Sequence, residues 1–442
     1  MRTCRVMGRW VISVMVLSCM VREATAAGFQ ILEQGSRQIG NAFAGTAAIA
    51  EDASTIFFNP AGMVYLQGNQ ATGALNITYP QARFENQGST SAGGLLPTIG
   101  GNGGNGAEFA IVPNLYGMWD LSPTIKVGLG LSAPFGLVTD YSADWVGRYQ
   151  AIRTDLFTID ISPVIAVKLT DWLSIGGGPN IQYANAELSN AIDLGALPGG
   201  APPQAADARV RLEADDVSAS FNIGALFQPW GGTRFGLHYI HEMSHDLDGQ
   251  VRYLGLNAAG AATLASLQSI GGFINQDATA PLDLPSTLTF SAYHELTPRL
   301  ALLADLAWAD WSVFDELRVN FSRVDTILGT SSVTPEEWDD TIRIALGVLY
   351  RHDDRWTFRG GVAYDETPVP DATRTPRIPD ESRYWIAAGV GYRWKALEIN
   401  FSYAHSFVED ATVNDTTRLR NNLVGTFDNS IDIFSIGGTL RF

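Results

Sequence analysis

The sequence predicts an all-β transmembrane barrel of about 14 antiparallel strands, with an N-terminal, partly helical hatch that plugs the lumen. Three observations support this fold class. Apolar residues alternate with polar or small ones in segment after segment, short and long connections alternate between these segments, and the last segment ends on an aromatic residue, Phe442. We divide the chain into a signal peptide (1–26), a hatch (27–68) and a barrel (69–442).

The first 26 residues have the features of a secretory signal peptide. Arg2, Arg5 and Arg9 precede an apolar run at 10–21, and an A-x-A cleavage site follows at 24–26. The apolar run is shorter than the ~20 residues that a membrane-spanning helix needs, so a membrane anchor is the weaker interpretation.

Composition excludes several classes of function. The chain has 29 Lys+Arg and 46 Asp+Glu, of which four arginines and one glutamate lie in residues 1–26. Cleavage therefore leaves 25 basic and 45 acidic residues, a net charge of −20, and such a surface repels nucleic acid. Both cysteines, Cys4 and Cys19, leave with the signal peptide, so we expect no disulfide and no thiolate metal site. We also expect no cofactor.

After the hatch, the dominant pattern has a period of two residues. In the segment 341–351, for example, Ile342, Ile344, Leu346 and Val348 fall on one face. Segments of this kind are predicted at 69–86, 107–121, 124–139, 152–170, 172–190, 211–229, 232–254, 280–297, 299–320, 336–353, 354–368, 381–395, 396–412 and 427–442.

The connections between these segments favour a membrane barrel over a soluble sandwich. Very short turns, such as 170–171 and 297–298, alternate with long connections rich in Gly, Pro or Ala, which is typical of an outer-membrane barrel in a Gram-negative bacterium. Closure also removes the exposed edges of so large a sheet. The terminal aromatic Phe442 resembles the signal read by the barrel assembly machinery. A secreted soluble β-protein is the alternative.

The segment at 27–66 lacks the period of two and has apolar spacings typical of short helices. Within it, Asn59 suits a helix N-cap and Pro60 the first helical position, so a sharp corner is predicted there. About forty residues form too small a core to fold alone, and the barrel lumen offers an enclosing surface. A soluble periplasmic extension is the alternative interpretation.

This segment carries a family resemblance. The stretch "AGFQILEQGSRQIGNAFAGTAAIAEDASTIFFNPAGMVYL" closely resembles the start of mature FadL-type outer-membrane transporters of long-chain fatty acids and hydrocarbons. The resemblance implies a hatch inside a barrel of fourteen strands, capture of substrate at extracellular loops, and an apolar binding pocket. It also implies lateral exit at a kinked third strand. Fatty acids and aromatic hydrocarbons remain equally open as substrates.

The resemblance also points to two groups of site residues. The hatch-gating group contains the Asn-Pro-Ala motif that the family needs for transport and the glycine after it: Asn59, Pro60, Ala61 and Gly62. The second group is the hatch N-terminus near the ligand pocket: Ala27, Gly28 and Phe29.

The third predicted strand contains residues that disfavour strand pairing. Pro134 has no N–H for the ladder, and Gly136 lacks a side chain that would stabilise extended backbone. We therefore expect a break at Ser132, Ala133, Pro134, Phe135 and Gly136 that opens a gap in the wall beside the hatch. An ordinary β-bulge without a passage is the alternative, and Pro163 and Pro179 are rival break points.

Competing functions are weaker. His241 and His245 complete an H-E-x-x-H pattern, but strand geometry separates them by roughly 13 Å, too far to share a zinc ion. An outer-membrane lipase or protease lacks a credible catalytic set, and a hydrophilic porin has no use for an apolar plug. We expect a monomeric passive channel that contacts an apolar substrate, outer-membrane lipid and lipopolysaccharide, and the assembly machinery through Phe442.

Overall fold

A computed structural model describes residues 28–92, 94, 96–198, 201–416 and 421–442. Within these residues, 20 antiparallel strands form one sheet. The sheet closes into a barrel because the first strand pairs with the last along its whole length, from Gln70↔Arg441 to Asn86↔Gly425. The predicted signal peptide and Ala27 lie outside the described residues.

The strands make fourteen crossings of the barrel, as the sequence predicted. Eight crossings are single strands: β1 (Gln70–Asn86), β2 (Ala110–Ser122), β5 (Arg153–Lys168), β6 (Leu173–Asp193), β7 (Asp207–Trp230), β16 (Trp356–Asp365), β17 (Arg383–Trp394) and β20 (Asn422–Arg441). Six are interrupted: β3 (Ile125–Ser132) with β4 (Gly136–Asp140), β8 (Thr233–Ile240) with β9 (Met243–Gly255), β10 (Gln276–Leu284) with β11 (Thr287–Thr297), β12 (Leu300–Ala309) with β13 (Glu316–Asp325), β14 (Gly329–Pro335) with β15 (Thr341–Arg351), and β18 (Leu397–Val408) with β19 (Ala411–Thr416).

Four of these interruptions correct the sequence prediction, which had continuous strands at 232–254, 280–297, 299–320 and 396–412. The strand predicted at 336–353 omits β14 and begins in the break, since β15 starts at Thr341. Pro285 lies in the break between β10 and β11, where it cannot donate to a ladder. A 3₁₀ turn at Trp311–Val313 interrupts the crossing of β12 and β13. Alternation of apolar and polar residues does not report such irregularities, because each piece keeps its own period of two.

The apolar faces of the strands point outward. On β15, Ile342, Ile344 and Leu346 are 45%, 49% and 58% exposed, whereas Arg343 and Ala345 between them are buried. A soluble sandwich would bury the apolar face instead, so this orientation fits a lipid-facing surface. Among the described residues, no helix has the length and apolar character to cross a membrane.

The hatch fills the lumen with short helices: α1 (Ser36–Gly40), α2 (Thr46–Ile49), α3 (Thr55–Phe58) and a 3₁₀ helix at Pro60–Tyr65. A longer helix, α4 (Ala258–Ser269), lies outside the hatch, in the connection between β9 and β10. Residues 36–50 of the hatch are all buried.

Glycines in the wall allow the hatch to approach the strands closely. A Cβ atom at Gly224 would lie 2.0 Å from Oδ1 of Asn59, and one at Gly361 would lie 2.0 Å from the carbonyl oxygen of Asn41. Seven more wall glycines face hatch atoms within 3.1 Å of a built Cβ: Gly128, Gly130, Gly176, Gly236, Gly347, Gly389 and Gly437. Backbone-to-backbone contact between plug and wall depends on these positions having no side chain.

The base of the hatch is tied to the wall by a buried ionic cluster. Arg37 pairs with Asp52 at 3.0 Å and with Glu398 of β18 at 2.7 Å, and all three side chains are 4% exposed. A second pair joins Glu51 of the hatch to Arg359 of β16 at 3.0 Å. Removing one member of such a cluster leaves an uncompensated buried charge, so the cluster fixes the position of the hatch base.

We predict that Gly224→Ala displaces the hatch corner, whereas Gly360→Ala does not. The new Cβ at position 224 overlaps Asn59, while the nearest atoms at Gly360 are 3.8 Å away. Overpacking of this kind costs about 1–3 kcal/mol. Limited proteolysis of the folded protein should therefore cleave the hatch faster in the first variant only. Equal protection of both variants would contradict the close approach.

We predict that Arg37→Met lowers stability far more than Arg441→Met. Arg37 is buried against two carboxylates, so its loss costs about 3–5 kcal/mol. Arg441 also contacts Glu398, at 3.3 Å, but it is 26% exposed and its loss costs about 0–1 kcal/mol. Thermal unfolding in detergent measures the difference, and equal midpoints for the two variants would show that the cluster does not anchor the hatch.

Candidate functional site

The third crossing is interrupted where the sequence predicted. Strand β3 ends at Ser132 and β4 begins at Gly136, so Ala133, Pro134 and Phe135 lie outside both strands. On one side, Thr158 of β5 keeps contact with the break: its hydroxyl donates to the carbonyl oxygen of Phe135 at 2.9 Å, and its backbone N–H donates to the same oxygen at 3.0 Å.

The hatch N-terminus supplies the other hydrogen-bond partners of this break. Ile31 N–H donates to the carbonyl oxygen of Pro134, and Gly136 N–H donates to that of Phe29, both at 2.8 Å. These two bonds flank an antiparallel bridge between Gln30 and Phe135. A short stretch of hatch backbone therefore takes the place of a neighbouring strand.

A hatch side chain holds the remaining backbone groups of the break. The amide of Gln34 donates to the carbonyl oxygen of Ala133 at 2.6 Å and accepts from the Ala133 N–H at 3.3 Å. Gln34 is fully buried, and sequence reasoning did not single it out. The break, though excluded from both ladders, thus keeps partners for its backbone groups.

The break leaves a gap in the wall between β2 and β4. Below it, β2 and β3 pair up to Leu115↔Leu131. Above it, an isolated bridge joins Ala107 to Thr139. Between these two contacts, where all residues are described, β4 pairs with β5 but not with β2. The gap thus lies directly beside hatch residues 29–31.

Phe29 inserts into a cage of aromatic side chains. Its ring centroid lies 4.8 Å from that of Trp311, 5.5 Å from Trp338, 5.6 Å from Phe314 and 6.1 Å from Phe135. Phe29 is 1% exposed. Such contacts are worth about 0.5–1.5 kcal/mol per pair beyond the area buried. The sequence predicted an apolar pocket at the hatch N-terminus but did not identify Trp311, Phe314 or Trp338.

The connection at 366–382 folds inward over this cage. Asp380 accepts a hydrogen bond from Gly28 N–H at 3.0 Å, and the side chain of Pro368 would lie 3.2 Å from a Cβ at Gly28. Across the lumen, the carbonyl oxygen of Pro376 accepts from the Tyr141 hydroxyl at 2.8 Å. Sequence analysis treated this connection as an ordinary long loop.

The structure places the hatch-gating group at a corner packed on the wall. Asn59 caps the 3₁₀ helix that Pro60 begins, and its Oδ1 accepts from Ala61 N–H at 3.1 Å. Its Nδ2 donates to the carbonyl oxygen of Ala47 at 2.7 Å and to that of Ala225 in β7 at 3.1 Å. Gly62 is buried, and a Cβ at this position would overlap Thr55 and Ala50.

The rival break points interrupt pairing without ending a strand. Both Pro163 and Pro179 lie within continuous strands, β5 and β6, although the ladder between these strands lapses from Ile161↔Ile181 to Ile165↔Gly177. A buried polar cluster lies inside the wall here: Asp160 accepts from Asn180 at 2.9 Å. Pro134 therefore marks the stronger interruption.

The H-E-x-x-H residues have separate hydrogen-bond partners. His241 contacts the hydroxyl of Tyr239 at 2.9 Å. His245 contacts Asp216 and Gln182, both at 3.1 Å. In the described part of the chain, no cluster of His, Cys, Asp and Glu could hold a metal ion.

The chain is similar to one known protein family along nearly all of its length. The model of the outer membrane protein transport protein family (OMPP1/FadL/TodX) matches residues 17–442. The long-chain fatty acid transport protein of Escherichia coli strain K12 is 30% identical over 407 residues, covering 87% of this chain and 89% of that protein. Outer membrane protein P1 of Haemophilus influenzae is 27% identical over 444 residues, with coverage of 91% and 92%.

Solved structures have the same fold. A FadL homologue of Pseudomonas aeruginosa superposes with a TM-score of 0.86 at 26% identity, covering 94% of this chain and 100% of that chain. The toluene transporter TbuX of Ralstonia pickettii superposes with a TM-score of 0.65 at 18% identity, covering 93% and 100%. With the barrel, the hatch and the family match together, this chain belongs to the OMPP1/FadL/TodX family of outer-membrane transport proteins and is a channel of the outer membrane, not an enzyme.

Proposed function

We propose that this channel carries apolar molecules passively across the outer membrane and releases them sideways, through the gap between β2 and β4. In this scheme the extracellular loops capture the substrate, the lumen holds it near the hatch N-terminus, and the hatch controls the gap. The observation that carries the proposal is the direct pairing of hatch residues 29–31 with the break in the third crossing.

Relatives support an apolar substrate. The Escherichia coli relative is named a long-chain fatty acid transport protein, and the Ralstonia pickettii neighbour is a toluene transporter. We take long-chain fatty acids or aromatic and aliphatic hydrocarbons as the substrates. All of them dissolve poorly in water, so a path that ends in the bilayer avoids their unfavourable transfer into the aqueous periplasm.

The aromatic cage links substrate binding to the gap. Phe29 occupies the cage as an apolar ligand would, and its own carbonyl oxygen accepts the hydrogen bond from Gly136. A substrate that takes the place of Phe29 therefore draws residues 29–31 away from the break. Because the hatch backbone lines the gap, its withdrawal opens the path to the lipid.

Exit into the periplasm through the part of the lumen that the hatch fills is disfavoured. Removal of the whole hatch would separate Arg37 from Glu398 and Glu51 from Arg359, which are buried pairs. We assign the Asn59, Pro60, Ala61 and Gly62 corner the role of holding the hatch in register with the wall. Movement is then confined to the first few residues of the mature chain.

We also propose how the channel interacts with the assembly machinery and with the lipids of the outer membrane. Phe442 is 66% exposed and its backbone pairs with Asn69, so it lies at the seam that closes the barrel. We propose that the assembly machinery reads this residue, that lipopolysaccharide and other outer-membrane lipid surround the apolar belt, and that the channel works as a monomer.

A disulfide between hatch and break should stop transport. We predict that Gln30→Cys with Phe135→Cys forms this bond, because the two residues face each other in a narrow antiparallel pair with Cα atoms about 4.5 Å apart. The described chain contains no native cysteine. Uptake of a labelled apolar solute should fall at least tenfold under oxidation and recover on reduction.

The single variants Gln30→Cys and Phe135→Cys serve as controls and should keep redox-independent uptake. If the cross-linked protein transports at the rate of its reduced form, then separation of residues 29–31 from the break is not part of the transport cycle.

Restoring the third crossing should also slow uptake. We predict that Pro134→Val with Gly136→Val leaves a folded, heat-modifiable barrel but lowers the uptake rate, because β-branched residues favour continuous pairing with β2. The matched control is Pro163→Val with Pro179→Val, which straightens the rival site. If uptake falls in the control and not in the first variant, then the exit lies at β5 and β6 instead of at the third crossing.

A further inference from the structure

The extracellular end of the barrel wall has an opening between β14 and β19. Within the described residues, β14 pairs with β13 only and β19 pairs with β20 only. The two crossings between them stop at a lower level, where Asp365 of β16 pairs with Arg343 and Arg383 of β17 pairs with Val408. The connection at 366–382, which joins these crossings, folds inward. At the ~4.8 Å spacing of neighbouring strands, two absent strands correspond to an opening roughly 14 Å wide.

The strand edges at this opening line a cavity of about 790 Å³ in the lumen. The lining residues at the edges are Ser332, Val333 and Thr334 on β14, and Asn414, Asp415 and Thr416 on β19. Further inside, the cavity wall includes Leu212, Val251 and Tyr253, which belong to one hydrophobic cluster. The volume is within the range of small-molecule sites. A molecule that passes between β14 and β19 therefore reaches an apolar surface directly.

The inward-folded connection forms the lower border of the opening. The hydroxyl of Thr373 donates to the carbonyl oxygen of Glu336, just after β14, at 2.5 Å. The guanidinium of Arg374 donates to the carbonyl oxygen of Thr412 in β19 at 3.0 Å. The connection is thus attached to both sides of the opening, and it closes the wall below the opening but not above.

The opening faces the extracellular side and not the apolar core of the membrane. Below it, the apolar outer face of the barrel ends at Tyr384 and Phe407, which are 52% and 58% exposed. The exposed residues of β14 and β19 are Thr330, Pro335, Thr412, Asn414 and Thr416. A girdle of aromatic residues is typical of the boundary between the apolar belt and the lipid head groups. The opening therefore lies above the hydrocarbon region.

A line of breaks separates the strands that border the opening from the barrel below. The lower strands β8, β11, β12 and β15 have their upper ends at four residues that pair in turn: Ile240, Thr287, Ala309 and Thr341. Above this line, β9, β10, β13 and β14 form a separate part of the wall, which we call the upper sheet. The upper sheet is paired with the rest of the barrel through β7 and β9, and its opposite edge, β14, borders the opening. An interrupted ladder below and a free edge at one side allow this sheet to turn as a unit.

We propose that apolar molecules enter the cavity from the extracellular side through the opening between β14 and β19, and that rotation of the upper sheet widens this entrance. This inference rests on the proposed function and adds an entrance to it, since the exit between β2 and β4 lies elsewhere in the wall. Two breaks along the line also contain Trp311, Phe314 and Trp338, which surround Phe29. Movement of the upper sheet therefore also acts on the aromatic cage.

A cross-link across the opening should block entry. The variant is Ser332→Cys with Asn414→Cys, joined by a bismaleimide with a hexane spacer. Both residues line the cavity, and the described chain contains no native cysteine, so the reagent joins these two edges. The initial rate of uptake of radiolabelled palmitate and toluene should fall by roughly fivefold or more, because passage through the entrance becomes rate-limiting. Uptake is measured before and after reaction, in cells in which the variant is the only channel of this family.

The matched control is Asn320→Cys with Ser331→Cys, two residues that are partners across β13 and β14. The same reagent then joins two strands of the upper sheet without spanning the opening, so uptake should remain that of the unreacted protein. Unchanged uptake after the first cross-link would overturn the proposal, and so would an equal loss of uptake in the control.

Equilibrium binding separates a blocked entrance from a damaged cavity. Closure of a path slows the arrival of a ligand but leaves its affinity unchanged, because affinity depends only on the free and bound states. After dialysis to equilibrium, the cross-linked full-length mature protein in lipid nanodiscs should bind palmitate with the affinity of the unreacted protein. A loss of affinity that matches the loss of uptake would indicate a damaged cavity and overturn the proposal.

The unreacted double variant tests the proposed function in the same cells. If it takes up either probe and the cross-link has no effect, then the entrance is wrong and passive transport stands. If neither this variant nor the unaltered protein takes up palmitate or toluene, then the proposed function itself fails.

Discussion

Backbone groups at membrane depth must find hydrogen-bond partners within the protein, and the rest of this architecture depends on that constraint. Closure of the sheet satisfies it nearly everywhere. One exception is the stretch from Ala133 to Phe135, where Pro134 ends the ladder and partners come from Thr158, Gln34 and hatch residues 29–31. The backbone groups of the break need the hatch as a hydrogen-bond partner, and the same hydrogen bonds hold the hatch N-terminus in place. A gap in the wall can therefore exist without exposing unpaired backbone to lipid.

The two ends of the hatch are attached in different ways. Near its base, Arg37, Glu51 and Asp52 belong to buried ionic clusters whose loss is costly. At its N-terminus, attachment consists of a few hydrogen bonds to neutral groups, one to Asp380, and the packing of Phe29. An apolar ligand can replace the packing of Phe29 with similar contacts, whereas Arg37 is held by two buried carboxylates at once. In the proposed function, the weaker end is therefore the end that a substrate displaces.

The features that were predicted from the sequence depend on the chemistry of one or two residues, whereas the features that were missed depend on contacts between distant parts of the chain. Asn59 and Pro60 indicate a helix start because they suit the N-cap and the first helical position, and Pro134 indicates a break because it lacks an N–H. The irregularity between β8 and β9 carries no such marker, because no proline or glycine stands in the break. Trp311 and Phe314 lie in the break of one crossing and Trp338 in the break of the next, and they meet Phe29 only in the folded barrel. Wall glycines such as Gly224 and Gly361 were a readable signal, since a glycine at an inward position of a crossing leaves room for close contact with something inside.

The connection at 366–382 lies between the hatch N-terminus and a cavity of about 790 Å³ in the lumen. One side of it, which includes Arg377, lines this cavity, whereas Pro368 and Asp380 contact the hatch N-terminus. Arg374 makes this connection rigid, because its guanidinium bonds the carbonyl oxygens of Val369 and Asp380 and pairs with Glu381. Asp380 accepts from the Gly28 N–H, and the carbonyl oxygen of the next residue, Phe29, accepts from Gly136 N–H at the edge of the gap. In the proposed function, this chain of contacts would let a displacement of the connection reach the hatch N-terminus without movement of the barrel strands.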